Sequence, residues 1–159
     1  MKTLKLAMPP GVRSTGGLHP PLDVEATMTG EGFDFICDLK EFHSHYQPAE
    51  SYLSLATQIK AIVDLASEGS LTYDEGSNRP GTVCKMESQV GVLEARLDTT
   101  SYRNKRLYVR LFYSEPNEVE LILLLGTLLK EDFPAGKAQQ DVHAGICQAR
   151  GDKWVTSRC

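Results

Sequence analysis

The sequence predicts an α+β domain: a small, antiparallel-rich sheet packed on an N-terminal helical hairpin, with a C-terminal helix. Three observations predict it. Apolar residues recur at helical spacing in two neighbouring segments, between Gly32 and Gly69. Strand-like patterns follow, alternating in GVLEARL and RLYVRLFY and continuously aliphatic in VELILLLGTLL. After Pro134 the chain returns to a helix-compatible composition. At 159 residues the chain is long enough for one domain with a real core.

Taken in order, residues 1–30 read as a flexible Pro/Gly-rich arm and residues 31–159 as the domain. PPGVRSTGGLHPP, from Pro9 to Pro21, can continue neither a helix nor a central strand. LDVEATMT after it is compatible with a short strand. FDFICDLKEFHSHY places Phe35, Ile36, Leu39 and Phe42 at i, i+3/i+4 spacing. Pro48 suits the first turn of a second helix, which runs through Leu55, Ile59, Ile62 and Ala66 until Gly69 ends it. LTYDEGSNRPG reads as a polar loop and DTTSYRNK as a turn. Leu93, Ala95 and Leu97 share one face of the first clear strand, with Glu94 and Arg96 opposite. In the next strand Leu107, Val109, Leu111 and Tyr113 share a face, and Arg106, Tyr108, Arg110 and Phe112 share the other. The run from Val119 is apolar on both faces, as a central strand should be.

Composition narrows the class. A hydrophobic content of 41% and a charged content of 24% fit a globular protein in the cytoplasm. No apolar run approaches the roughly 20 residues that span a bilayer, and the apolar part of MKTLKLAMPPG is too short for a signal peptide. Cys37, Cys84, Cys147 and Cys159 are far apart without a C-x-x-C pair, which argues against a disulfide framework or zinc. His43 and His45, two apart, diverge on a helix, so no metal and no other cofactor is expected.

The net charge of −4 argues mildly against indiscriminate nucleic-acid binding, but it conceals an asymmetry. Residues 79–110 hold seven basic side chains (Arg79, Lys85, Arg96, Arg103, Lys105, Arg106, Arg110) against three acidic ones. The polar face of the sheet should therefore gather Glu94, Arg96, Tyr108 and Arg110, with Lys130 just past the last strand. Such a face is either simply solvated or holds an anion or an acidic partner, since like charges repel.

The order helix, helix, strand, strand, strand, helix resembles the RelE/HigB superfamily of toxins, most closely its phage-derived, Gp49-like branch. The residues that carry the resemblance are Glu94-Ala95-Arg96, then Tyr108-Val109-Arg110-Leu111-Phe112-Tyr113, then Leu123 to Lys130, then Pro134. It covers roughly residues 32–150; the first 30 residues have no counterpart. The resemblance implies a RelE-like fold and a metal-independent endoribonuclease that cleaves mRNA, on the ribosome in many members. It also implies neutralisation by a cognate antitoxin of helix-turn-helix type. Cleavage by attack of a 2′-hydroxyl needs a base, an acid, and positive charge on the developing phosphorane. Carried over by position, Arg110 would stabilise the transition state, because its fork can hold two phosphate oxygens. Arg96 and Lys130 would bind phosphate or assist the leaving group. Glu94 would act as base, or else only orient Arg96 or Arg110 through an ion pair. Arg103, Lys105, Arg106 and Tyr108 would contact RNA. His143, in the C-terminal helix, is either an acid/base or a structural histidine. Two alternatives share the scaffold: a catalytically inactive, phage-derived protein-binding module, and the gyrase-inhibiting branch of the superfamily.

Overall fold

The alternating segment from Lys105 to Ser114 and the aliphatic run from Leu121 to Lys130 become ten-residue strands that form the middle of the sheet. The computed structural model describes residues 2–17 and 19–158. Its elements are α1 (Val12–Thr15), β1 (Asp23–Ala26), β2 (Met28–Thr29), β3 (Gly32–Phe33), α2 (Asp34–Tyr46), α3 (Tyr52–Glu68) and β4 (Thr72–Tyr73). They continue with β5 (Thr82–Lys85), β6 (Leu93–Arg96), β7 (Thr100–Tyr102), β8 (Lys105–Ser114), β9 (Leu121–Lys130) and α4 (Ala135–Ser157). Among these residues the main sheet runs β1-β9-β8-β6-β5-β4, with β7 paired to β8 and a separate β2-β3 hairpin. Pairing is mostly antiparallel; β1 with β9 and β4 with β5 are parallel. No helix of the described residues is long and apolar enough to cross a membrane.

The helical hairpin covers one face, as its periodicity predicts. Leu39 of α2 and Leu55, Ile59, Ile62 and Ala66 of α3 share a core with Ala95, Leu107, Val109 and Leu111. Gly69 ends α3 at φ +76°, its N–H reaching the Leu65 and Ala66 carbonyls. Pro48, however, lies outside the helix. The Ser51 hydroxyl accepts the Ser54 N–H at 3.1 Å and so fixes the start of α3 at Tyr52. The segments read as loop and turn also contribute short strands, β4 and β7. β7 reaches β8 through Arg103 and Asn104, both at positive φ, which suits a tight hairpin.

The opposite face is covered too. α4 packs Ala144, Cys147 and Val155 against Phe112, Leu123, Leu125 and Leu128, giving a helix–sheet–helix sandwich. β1 pairs with β9 only as far as Leu124. Past that point α2 lies along the strand: the Thr127 N–H donates to Asp38 (3.1 Å) and its hydroxyl to the Phe35 carbonyl (2.8 Å).

Residues 2–17 and 19–29 are part of this body rather than an arm off it, which corrects the division at residue 30. β1 is a strand of the main sheet, and Leu4 is fully buried in the core beneath α4. The Leu4 N–H donates to Asp152 (2.5 Å) and Gln148 donates to the Leu4 carbonyl (3.1 Å). The buried Glu115 carboxylate accepts the backbone N–H groups of Arg13 (2.7 Å) and Ser14 (3.2 Å) and the Ser14 hydroxyl. Pro and Gly here shape turns between anchored points, a use of those residues that composition does not separate from looseness.

Candidate functional site

Register alone assembles the charged cluster. Arg96 on β6 stands opposite Arg110 on β8, Glu94 opposite both Phe112 and Cys84 on β5, and Tyr108 opposite Lys130 on β9. All project toward the α4 side of the sheet, as alternation requires. Glu94, Arg96 and Arg110 are only 2%, 5% and 2% exposed. One Glu94 oxygen, Oε1, lies 3.3 Å from Arg110 Nε and 3.5 Å from Arg96 Nε.

Other partners fix the forks. Arg96 donates to the Asp74 carbonyl (2.8 Å) and contacts Cys84 Sγ at 3.0 Å. Arg110 donates to the Val109 carbonyl and to Asn78, both at 3.1 Å, and its guanidinium stands 5.2 Å from the centre of the Tyr108 ring. The network is still incomplete. Glu94 Oε2 and the Nε atoms of both arginines are buried without a hydrogen-bond partner; the contacts to Oε1 are ion pairs without hydrogen-bond alignment.

Beside the cluster lies a cleft in two compartments that share Asn78, Lys130, Lys137 and Gln140. The outer one, about 300 Å³, is lined also by Tyr108, Arg110 and, at its rim, Glu131 and Asp132. The inner one, about 230 Å³, is lined also by Glu94, Arg96 and Cys84. Lys130 sits between them and hydrogen-bonds Gln140. Burial pulls the Lys130 amine below the usual lysine range, and the Arg110 and Arg96 charges push the same way against the opposing effect of Glu94. Burial likewise lowers the pKa of Arg110, which Glu94 partly offsets, and raises that of the Cys84 thiol.

The structure thus brings together five of the residues singled out from the sequence: Glu94, Arg96, Tyr108, Arg110 and Lys130. The others it places elsewhere. Arg103 lines a separate cavity with His45, Tyr46 and Tyr102, and Lys105 and Arg106 line another beside Glu50. Arg106 belongs to the face of Arg110 by alternation, but it sits at the exposed start of the strand, away from the cleft. His143 does not line the cleft. It contacts Asp38 at 2.9 Å, and its ring packs on Phe42 and Phe112.

Apart from Lys130, the three residues shared by both compartments escaped the sequence reading. Lys137 and Gln140 are i, i+3 neighbours near the start of α4, a spacing that would have shown one polar stripe beside Lys130. Asn78 comes from a polar loop and carries no comparable signal. Of the cysteines, Cys37, Cys84 and Cys147 are free, and Cys159 lies outside the described residues. Among the described residues no group of three or more His, Cys, Asp and Glu side chains could hold a metal ion. No family model matches the chain, and neither a curated protein nor a solved structure matches it.

Proposed function

We propose that the protein is a RelE/HigB-like toxin, a metal-independent endoribonuclease that cleaves mRNA in the cytoplasm and is held in check by an antitoxin. The observation that carries this reading is the convergence of Arg110, Lys130, Lys137 and Tyr108 on one outer compartment. The order of helical hairpin, β6, β8, β9 and C-terminal helix is also the order the resemblance calls for.

The chemistry follows from what each group can do. Lys130, its amine pKa lowered by burial, takes the proton of the attacking 2′-hydroxyl. The new bond from the 2′-oxygen to phosphorus forms as the bond to the 5′-oxygen breaks, leaving a 2′,3′-cyclic phosphate. The Tyr108 hydroxyl gives a proton to the departing 5′-oxygen. Arg110 and Lys137 balance the charge gathering on the phosphorane. Glu94 takes no proton in this scheme; it holds both arginine side chains, the orienting role the sequence left open.

Burial of Arg110 and the acidic rim of Glu131 and Asp132 favour a second reading, an inactive module that binds a protein partner. Expression of the wild type beside Lys130→Met decides between them, with growth followed and RNA 5′ ends mapped. The ribonuclease should arrest growth and create new 5′-hydroxyl ends, and Lys130→Met should lower cleavage by roughly 10²–10⁴-fold. Intact RNA in cells making folded wild type would sink that reading and leave the binding module.

A further inference from the structure

The inner compartment contains an unmet need that the cleavage chemistry does not use. Glu94 Oε2 is a carboxylate oxygen with no hydrogen-bond partner, on a side chain 3% exposed that lines a cavity of about 230 Å³. Arg96 Nε, on a side chain that lines the same cavity, is a donor in the same condition, within ion-pair distance of the other Glu94 oxygen. Leaving such groups unpaired in a buried site is costly, the more so when they are charged. One acceptor and one donor on neighbouring side chains, both unmet, are complementary to a ligand edge that carries an N–H beside a C=O.

We propose that the inner compartment binds a nucleobase by its lactam edge, the ring N–H next to a carbonyl that guanine and uracil possess. This assignment rests on the ribonuclease reading for the position of the phosphate, which lies in the adjoining outer compartment by Lys130 and Lys137. The base N–H, at N1 of guanine or N3 of uracil, donates to Glu94 Oε2. The neighbouring carbonyl, O6 or O4, accepts from Arg96. Adenine and cytosine present a bare ring nitrogen at the same place, and its lone pair would meet the carboxylate oxygen. A site built to hydrogen-bond a donor rejects an analogue that lacks it, because its own buried groups are then left unpaired. Gln140 and Asn78 line both compartments, with their amide oxygens accepting from Lys130 and Arg110. Single-stranded RNA is commonly read in this way, through hydrogen bonds to the edges of unstacked bases.

The test is titration of the intact protein, by calorimetry or NMR, with the 3′-monophosphates of inosine, guanosine, uridine, adenosine and cytidine, and with inorganic phosphate. Inosine and adenosine nucleotides make the sharpest pair, since they differ chiefly in this edge. The expected result is binding of the inosine, guanosine and uridine nucleotides about tenfold or more tighter than the adenosine and cytidine nucleotides. Glu94→Gln, which offers an amide able to donate or accept, should shrink that preference to about twofold, and Lys137→Gln should weaken all five nucleotides alike. If Glu94→Gln does not fold, the inosine/adenosine comparison on the wild type still decides. Equal affinity for those two, or no nucleotide binding, overturns the proposal. RNA cleavage without base preference would overturn it while leaving the ribonuclease reading standing. Selective nucleotide binding without cleavage would do the reverse.

Discussion

At the scale of single residues, Glu94 decides how the charged face can exist. Two guanidinium groups on neighbouring strands, each at most 5% exposed, would repel and lose hydration together without an anion between them. The ion pairs to Glu94 Oε1 supply that anion, and Asn78 and the Asp74 and Val109 carbonyls take up donors of both forks. Removing the carboxylate while keeping both arginines leaves two uncompensated buried charges. Glu94→Ala should therefore cost about 3–5 kcal/mol of unfolding free energy in urea titrations. Replacing the whole triad, Glu94→Leu with Arg96→Met and Arg110→Met, should recover most of that loss, because well-packed apolar side chains commonly match a buried ion network in stability. A triple variant as unstable as Glu94→Ala would show that the loss came from packing and not from charge. The contrast separates two reasons for having such a cluster, since the triple variant would keep the fold and lose the proposed nucleotide site.

The elements meet at a junction where α2, β9 and α4 share one carboxylate. Asp38 takes hydrogen bonds from Arg150 (2.7 and 2.9 Å) and from the Thr127 backbone, and it contacts His143. Gly126 leaves the room: a Cβ there would stand 2.6–2.8 Å from Asp38, Cys147 and Arg150. Burial works against the Asp38 charge, but the hydrogen bonds from His143 and Arg150 outweigh it and hold its pKa below the usual aspartate range. A carboxylate with a depressed folded-state pKa contributes stability that is present above its unfolded pKa, about 3.9, and is lost as pH falls through the folded value. The wild type should thus lose stability steeply below about pH 4, and Asp38→Asn should lack that part of the slope. At neutral pH Asp38→Asn should cost less than the roughly 3–5 kcal/mol of a fully buried pair, because Arg150 is partly exposed. Parallel slopes for the two proteins in acid denaturation would refute this account. The junction also shows what was legible in the sequence. Helical periodicity in residues 34–46 and alternation in residues 105–114 announced both elements and their apolar faces, because local period reflects burial. The same alternation grouped Glu94, Arg96, Tyr108 and Arg110 correctly. The cover over that group was not legible: α4 turns small residues inward, Gly136, Ala144 and Gly151 among them, so it carries little helical amphipathic signal. Arg106 was assigned to the site by the right face but the wrong end, since alternation fixes a side and not how far along the strand a neighbour reaches.

For the molecule as a whole, the N-terminal segment determines whether three layers behave as one body. Its contacts run to both halves: Leu4 reaches the α4 layer, and α1 reaches the strand ends through Glu115 and through Arg13, whose guanidinium donates to the Val119 and Leu121 carbonyls. Gln148 extends the tie by accepting the Gly91 N–H (2.8 Å) while donating to the Leu4 carbonyl, so α4, the turn before β6 and the N-terminus meet at one side chain. Deletion of residues 2–17 removes a fully buried leucine, worth about 2–5 kcal/mol when cut to alanine. It also strips the fully buried Glu115 carboxylate of its three donors. The truncated chain should therefore lose more stability than Leu4→Ala alone, and adding Glu115→Gln to the truncation should recover part of the difference by removing the stranded charge. Chemical denaturation of the full chain, Leu4→Ala, the truncation and the truncation with Glu115→Gln orders the four. An undiminished midpoint for the truncated chain would return residues 2–17 to the status of an arm. If instead the truncation melts early and Glu115→Gln rescues it, the segment is the fourth side of the core, and the cleft between β9 and α4 keeps its shape because the opposite end of that helix is tied down.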